Sequence, residues 1–393
     1  ARVEAVIDQR ISRLDPELQE IVSVASVEGE VFTAQVVAKV QRMEEVQLLR
    51  RLSQELEARH RLVSEQGEVQ AGPRRMDRYR FSHTVVQNYA YRRLGRAERR
   101  LLHGQVAAAL EALYQGHQDE IAVQLALHLH RAGRDRRALR YFTRAAENAA
   151  RAYANDEAVI LYTRAVEAAE RVSPDTISLA KLHRARGLAR ERLGQFDQAR
   201  ADYRAILQIA RAAQDRRLEW RALIDLGKLW ASQDYSRAHD CLEPALELAQ
   251  QIDDPAVLAA SLNWMGNWHA NAEDSVTAVA HHQEALEIVE TLGDHRALMR
   301  TLHLLGLAYL LAGDLAASVR YYDRSIALAR KEDDRWRLVT GLIARAIIVS
   351  ELIMLAVVPV DEPPDARGDL KEAIRMAREI DSPVDKTWAH WAL

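Results

Sequence analysis

The sequence predicts an all-α fold: stacked helical repeats, preceded by a smaller helical region with one β-hairpin. Three observations predict it. Four copies of one pattern run through the middle of the chain. Proline and glycine are sparse, nine and sixteen in 393 residues, which disfavours a turn-rich β fold. Between 60 and 83, two alternating segments flank a glycine- and arginine-rich stretch, and they are the only strand-like signal.

The repeats are read from their glycines. Gly187, Gly227, Gly266 and Gly306 stand 40, 39 and 40 residues apart. A small residue follows each after eleven or twelve positions: Ala199, Ala238, Ala278 and Ser318. A fixed period of this size marks stacked supersecondary units, none able to bury its apolar face alone. The leading helix of each unit carries the glycine and the second carries the small residue. A large side chain at either place would hold the two helices apart. Ala126, Ala138, Phe142 and Ala145 fit the same template earlier, and Ala158, Tyr162 and Ala165 fit its second half. Ala346 and Ala373 fit it at the far end, around a proline-rich insertion at 354–368 that reads as an exposed loop. Helix starts are marked by Asp15-Pro16, Ser173-Pro174 and Asp254-Pro255, an acceptor followed by a proline whose missing N–H costs nothing there.

Residues 1–117 do not follow the repeat. They read as helices at 3–13, 16–27, 33–40 and 44–58, strands at 60–66 and 78–83, then helices at 83–93 and 96–115. Three helices followed by a hairpin make a winged helix-turn-helix. The expected organisation is therefore a winged-helix domain over 1–117 and about six repeats over 118–393, the last truncated.

Composition bounds the function. The chain is 48% apolar and 28% charged with a net charge of −3, which gives no global attraction to nucleic acid or membrane. The longest nearly uncharged apolar stretch, 346–360, is too short to span a bilayer. A single cysteine, Cys241, excludes an intrachain disulfide and suits a reducing, cytoplasmic setting. No H-E-x-x-H, C-x-x-C or nucleophile-and-base pattern occurs, so neither metal nor catalysis is expected of these residues. The chain begins without methionine and stops within an apolar helical pattern, and it reads as a piece of a longer polypeptide.

The pattern L-G-x-x-Y/W…A…Y…A resembles the tetratricopeptide repeat, in a form near 40 residues long. The segment "LSQELEARHRLVSEQ…RYRFSHTVVQNYAYRRL" resembles the winged-helix region of STAND signal-transducing ATPases. In that family a P-loop ATPase precedes the winged helix, and a right-handed superhelix of repeats follows as ligand sensor. The resemblance spans essentially the whole chain in module order. No G-x-x-x-x-G-K-[ST] occurs, so the ATPase module, with its bound ADP or ATP, would lie upstream. The resemblance implies that His83, opening the helix after the second wing strand, approaches the β-phosphate of ADP and helps hold the inactive state. It further implies that the repeats bind an activating protein or peptide.

Positions three before and one after each glycine are expected to face the concave side. They are Arg184 and Leu188, Ile224 and Lys228, Asn263 and Asn267, His303 and Leu307. Asn271 extends a run of asparagines, and asparagine is a poor helix former. Asn263, Asn267 and Asn271 are therefore read as exposed amides that clamp a bound backbone, with Arg184, Lys228, Arg300 and His303 attracting acidic groups. A merely solvated polar face is the plainer reading of the same residues. Trp264 and Trp268 are expected to pack between helices. Two other functions remain open: a DNA-binding regulator with a repeat sensor or dimerisation domain, and a passive repeat scaffold. The helix at 44–58 weighs against DNA, since Glu44, Glu45, Glu55 and Glu57 oppose Arg50 and Arg51. Arginines at 74, 75, 78, 80, 92, 93, 96, 99 and 100 leave a phosphate or acidic partner possible.

Overall fold

A computed structural model describes residues 2–172, 175–355 and 365–379. Contacts divide the chain into two compact units, 1–202 and 203–393. The sequence-predicted junction at 117/118 lies inside the first. Ser173-Pro174 and most of the 354–368 insertion fall outside the described residues.

The first unit opens with α1 (Arg2–Ser12) and α2 (Pro16–Glu28). Asp15 caps α2 as expected, its carboxylate accepting the Leu18 N–H at 2.8 Å. A short strand β1 (Val31–Thr33) leads into α3 (Ala34–Gln41) and α4 (Glu45–Arg50), which continues in π-helical geometry through 51–59. The hairpin follows as β2 (Val63–Ala71) and β3 (Arg74–Phe81). All pairing is antiparallel and the order is β1-β3-β2, with Phe32 opposite Tyr79 and Val69 opposite Met76. The expected lone hairpin is thus corrected to a three-stranded sheet. Val31–Thr33 is too short to show alternation, so the sequence assigns its last residue to the next helix. The hairpin strands also run further into the glycine- and arginine-rich stretch than expected, across an irregularity between Glu65 and Glu68. Phe32, Tyr79 and Phe81 stack under this sheet and join Leu18, Ile21, Leu48, Leu52 and Leu56 in one core.

Next come α5 (Thr84–Arg93) and α6 (Arg96–Leu113), then antiparallel helices: α7 (Ala122–Arg131), α8 (Asp135–Arg151), α9 (Asn155–Val172) and α10 (Thr176–Arg192). Their core is built from alanines with Phe142 and Tyr162 as the large members. α11 (Phe196–Ala213) runs from the end of the first unit into the second.

The second unit continues with α12 (Arg216–Ala231), α13 (Tyr235–Gln251), α14 (Pro255–Asn271), α15 (Ser275–Leu292), α16 (His295–Leu311), α17 (Leu315–Lys331), α18 (Arg335–Leu355) and α19 (Ala366–Glu379). The glycines act as expected. A Cβ on Gly227 would come 2.6 Å from Leu242, one on Gly266 2.6 Å from His282, and one on Gly306 2.6 Å from Tyr322. Ala199, Ala238, Ala278 and Ser318 are all fully buried at the facing positions. Aspartates set the helix starts. Asp234, Asp254, Asp274, Asp294, Asp314 and Asp334 stand twenty residues apart, and each carboxylate accepts a backbone N–H of the helix it opens. Each such cap is worth about 1 kcal/mol.

Candidate functional site

The leading helices α12, α14, α16 and α18 of the second unit carry a line of cations and indoles. The Lys228 ammonium sits 4.7 Å from the Trp264 ring centroid, and the Arg300 guanidinium 5.2 Å from the same ring. Each such contact contributes about 0.5–2 kcal/mol, depending on desolvation. Lys228 also lies 3.9 Å from the buried Asp225 carboxylate. Lys228, Trp264, Arg300 and Trp336 are each 36 residues apart. That step is about one helical turn shorter than the glycine step, so the line drifts across successive helices.

Beyond Arg300 the line opens into a cavity of about 440 Å³ between α16, α17 and α18. Met299, Leu304 and Trp336 supply apolar walls, and Arg300, His303 and Arg337 supply nitrogen. Ser325 and Thr340 complete the lining, which contains no acidic residue. The Arg337 Nε lies 3.1 Å from Asp334, whose other oxygen accepts the Arg337 backbone N–H at 3.1 Å. No ion pair holds the terminal nitrogens of Arg337, or any nitrogen of Arg300, among the described residues. His303 stands edge-on to Tyr322 at 5.3 Å. Burial lowers its pKa, and the charge of Arg337 lowers it further. The same two causes, in the same order, lower that of Arg300. Two cations and an imidazole thus share one cavity whose lining has no carboxylate, and Asp334, outside it, pairs with Arg337 alone.

The predicted groove residues divide sharply. Lys228, Arg300 and His303 lie on this face and belong to the arrangement just described. Asn263 does not. It is 5% exposed, where the sequence predicts an open amide. Its Nδ2 donates to Thr301 Oγ1 at 2.9 Å and its Oδ1 lies 2.9 Å from His282 Nδ1. The seat three residues before the glycine is buried at Ile224 as well, at 2% exposure. That seat is closed at Ile224 and Asn263, whereas Arg184 and His303, which hold it in the other repeats, are half-buried. Asn271 is exposed, but its amide donates to the Asn267 carbonyl of its own helix at 2.8 Å. Asn267 is half-buried. The three asparagines therefore form no open ladder. The seat one after the glycine does reach the surface: Leu188, Lys228 and Asn267 are half-buried and Leu307 is exposed. Arg184 is half-buried on α10 of the first unit. The residues missed by the sequence reading are Trp336, Arg337, Ser325 and Thr340. The 36-residue step from Lys228 would have found Trp336.

In the first unit, His83 is exposed and immediately precedes α5, two residues after β3, with no capping bond from its side chain. Arg51, on the helix that weighs against DNA, is surrounded by Asp15, Glu17 and Glu55. Of the arginines at 74–100, Arg75 reaches Glu68 at 3.5 Å, Arg80 reaches Glu30 at 4.0 Å and Arg93 reaches Asp8 at 3.8 Å. Arg99 stacks on Tyr91 at 5.2 Å. A buried chain lies below that ring: Tyr91 Oη to His103 Nε2 at 2.9 Å, and His103 Nδ1 to His128 Nδ1 at 2.9 Å. Burial, reinforced by nearby arginines, lowers His103 to about 4. Burial, then the His103 charge, lowers His128 to about 3. Among the described residues no three His, Cys, Asp or Glu side chains gather as metal ligands. No described helix is long and apolar enough to cross a membrane.

Residues 257–331, which cover α14 to α17, match the family model of the tetratricopeptide repeat. No curated protein matches the chain. Among solved structures, the apo form of the quorum sensor NprR from B. thuringiensis aligns with a TM-score of 0.52 at 13% identity. That alignment covers 74% of this chain and 80% of that one. A signal transduction ATPase with numerous domains, carrying a tetratricopeptide repeat sensor, from Pyrococcus horikoshii aligns at 0.44 and 12% identity. It covers 99% of this chain and 64% of that one, so this chain spans under two thirds of that protein. BtubC from P. vanneervenii aligns at 0.46 and 22% identity, over 59% of this chain and 92% of that one. At these identities the likenesses speak to fold alone. Residues 257–331 of the helical array are thus similar to tetratricopeptide repeats.

Proposed function

We propose that this chain is the regulatory and sensor region of a STAND-type ATPase, in which the repeats bind a protein or peptide ligand along α12, α14, α16 and α18. The observation that carries the ligand reading is the line Lys228–Trp264–Arg300, which ends at a cavity with no acidic lining. A rigid helical face with preset cations and flat indoles suits an extended, partly acidic chain, because the receptor loses little freedom on binding. The helix–hairpin region of the first unit acts as a winged helix, and His83 stands where a helix N-terminus and an imidazole together meet a phosphate. The ATPase module and its nucleotide belong to the longer protein, and this chain by itself neither hydrolyses nor tightly binds ATP.

Two measurements test the reading. In the full-length protein, His83→Ala should speed ADP release and raise basal signalling; unchanged release and signalling would remove His83 from the switch. In this chain, Lys228→Ala should weaken the physiological ligand with helicity preserved, and undiminished affinity would move the recognition surface elsewhere. The DNA reading is the weaker one. Three carboxylates already surround Arg51, so Arg50 and Arg59 are the cations left against Glu44, Glu45 and Glu57 on that helix. A gel shift that weakens steeply with salt would restore it.

A further inference from the structure

The cavity between α16 and α18 holds more chemistry than a general cationic face requires. Its volume of about 440 Å³ falls within the usual range for small-ligand sites, roughly 300–1,000 Å³. Arg300 enters from α16 and is held against Trp264, and Arg337 enters from the first turn of α18 with its Nε beside Asp334. The remaining guanidinium nitrogens are donors without an ion-pair partner among the described residues. Met299 and Trp336 give the rest of the wall an apolar character.

We propose that this cavity is a specific site for one carboxylate carried on an apolar or aromatic stem. A carboxylate presents two planar oxygens, which match the paired nitrogens of an arginine fork. Binding would also relieve the repulsion between Arg300 and Arg337. A phosphate fits less well. It brings more charge into an apolar-walled space, and Asp334 already takes the backbone N–H at the start of α18 that would otherwise serve a third oxygen. Trp336, 57% exposed at the rim, offers the flat surface against which the stem lies.

The same chemistry arises from a free organic acid or from the C-terminal residue of a peptide. This proposal rests on α16 and α18 belonging to the ligand face, but it names a group that is testable without the physiological ligand. The chain is titrated with N-acetyl-phenylalanine, with its carboxamide, with a short peptide ending in phenylalanine, with that peptide amidated, and with inorganic phosphate. Calorimetry and tryptophan fluorescence report binding.

An acid should bind at least roughly tenfold tighter than its amide, the weight of one charge-assisted hydrogen bond. Arg300→Gln and Arg337→Gln should each erase that preference while helicity and cooperative unfolding are retained. Trp336→Ala should weaken acid and amide alike, leaving their ratio intact. Tight binding by the free acid assigns the site to a small molecule, and tight binding by the peptide alone assigns it to a chain end. Equal binding of acid and amide, preference for phosphate, or no saturable binding by either acid source overturns the proposal. Lys228 lies outside the cavity, so Lys228→Ala should preserve the preference for N-acetyl-phenylalanine over its carboxamide. A loss of peptide binding in that variant alone separates the wider ligand face from this site.

Discussion

His282 Nδ1 lies 2.9 Å from Asn263 Oδ1, and both side chains are buried. The amide oxygen only accepts, so this ring nitrogen carries the hydrogen. The other side of the amide donates to Thr301. Asn263 thereby ties α14 to α15 and α16 at once. Asn263→Ala leaves the imidazole N–H without its partner, and it should destabilise the second unit by about 1–3 kcal/mol. Asn271→Ala, which removes an exposed bond to its own helix, should stay within about 0.5 kcal/mol. Urea unfolding of both variants checks the contrast, and equal effects would refute it.

Acid should weaken the fold well before the carboxylates titrate. His103 and His128 are lowered to about 4 and about 3, and His282 to about 4, chiefly by burial. The unfolded chain takes up these protons near pH 6.5, while the folded chain does so only near 3 to 4. Stability is therefore complete above about pH 6.5 and declines as pH falls toward 4. The slope is up to about 1.4 kcal/mol per pH unit for each histidine. Asp202 acts lower. Burial is the largest single effect and raises its pKa, but the bonds from His183 and Arg186 and the charges of Arg186 and Arg190 together outweigh it and lower it, so its contribution is lost only below its ordinary carboxylate range. Unfolding midpoints between pH 7 and 4.5 test this, and a flat profile contradicts it.

Gly266→Ala and Gly306→Ala should each destabilise, although alanine is the better helix former. The added methyl would stand 2.6 Å from the His282 or Tyr322 ring, and the ring or the helix must move. Overpacking of this kind costs about 1–3 kcal/mol, against a propensity gain of about 1 kcal/mol. A raised melting temperature in either variant would show that the helices part freely.

Asp202 is 1% exposed and accepts from Arg186 and Arg190 at 2.6 Å each, with His183 Nδ1 at 2.9 Å. Asp202→Ala strands two largely buried guanidiniums and should cost about 3 kcal/mol or more. Asp202→Glu should recover part of the loss. A neutral result in a urea titration would mean that water replaces the carboxylate.

The glycine period made the helical array readable, because close helix approach leaves few residue choices. The capping aspartates were legible where a proline follows, at Asp15 and Asp254, because an acceptor before proline marks a helix start. The short strand β1 was not, since three residues carry no alternation and its pairing with β3 is non-local. The site was half legible. Lys228, Arg300 and His303 were named from charge and position. Asn263 was misplaced because a polar residue on a leading helix was taken to face outward, when its partners His282 and Thr301 sit 19 and 38 residues away. Trp336 and Arg337 escaped notice because the line of cations and indoles advances by 36 residues and the packing glycines by 39 or 40. A search keyed to the packing period drifts off that line by about a turn per repeat.

The aspartate spacing has a consequence for how such a chain changes length. Removing residues 235–274 would join Asp234 directly to Ser275, so α15 would begin on Asp234 as it now begins on Asp274. In the spliced chain His282 would follow Gly227 by fifteen residues, the separation at which Leu242 now seats against it. Each surviving helix keeps its start signal and each surviving glycine meets a partner. Gains and losses of whole helix pairs therefore leave the local rules intact, and the length of the array becomes a quantity that recombination can adjust in steps of two helices.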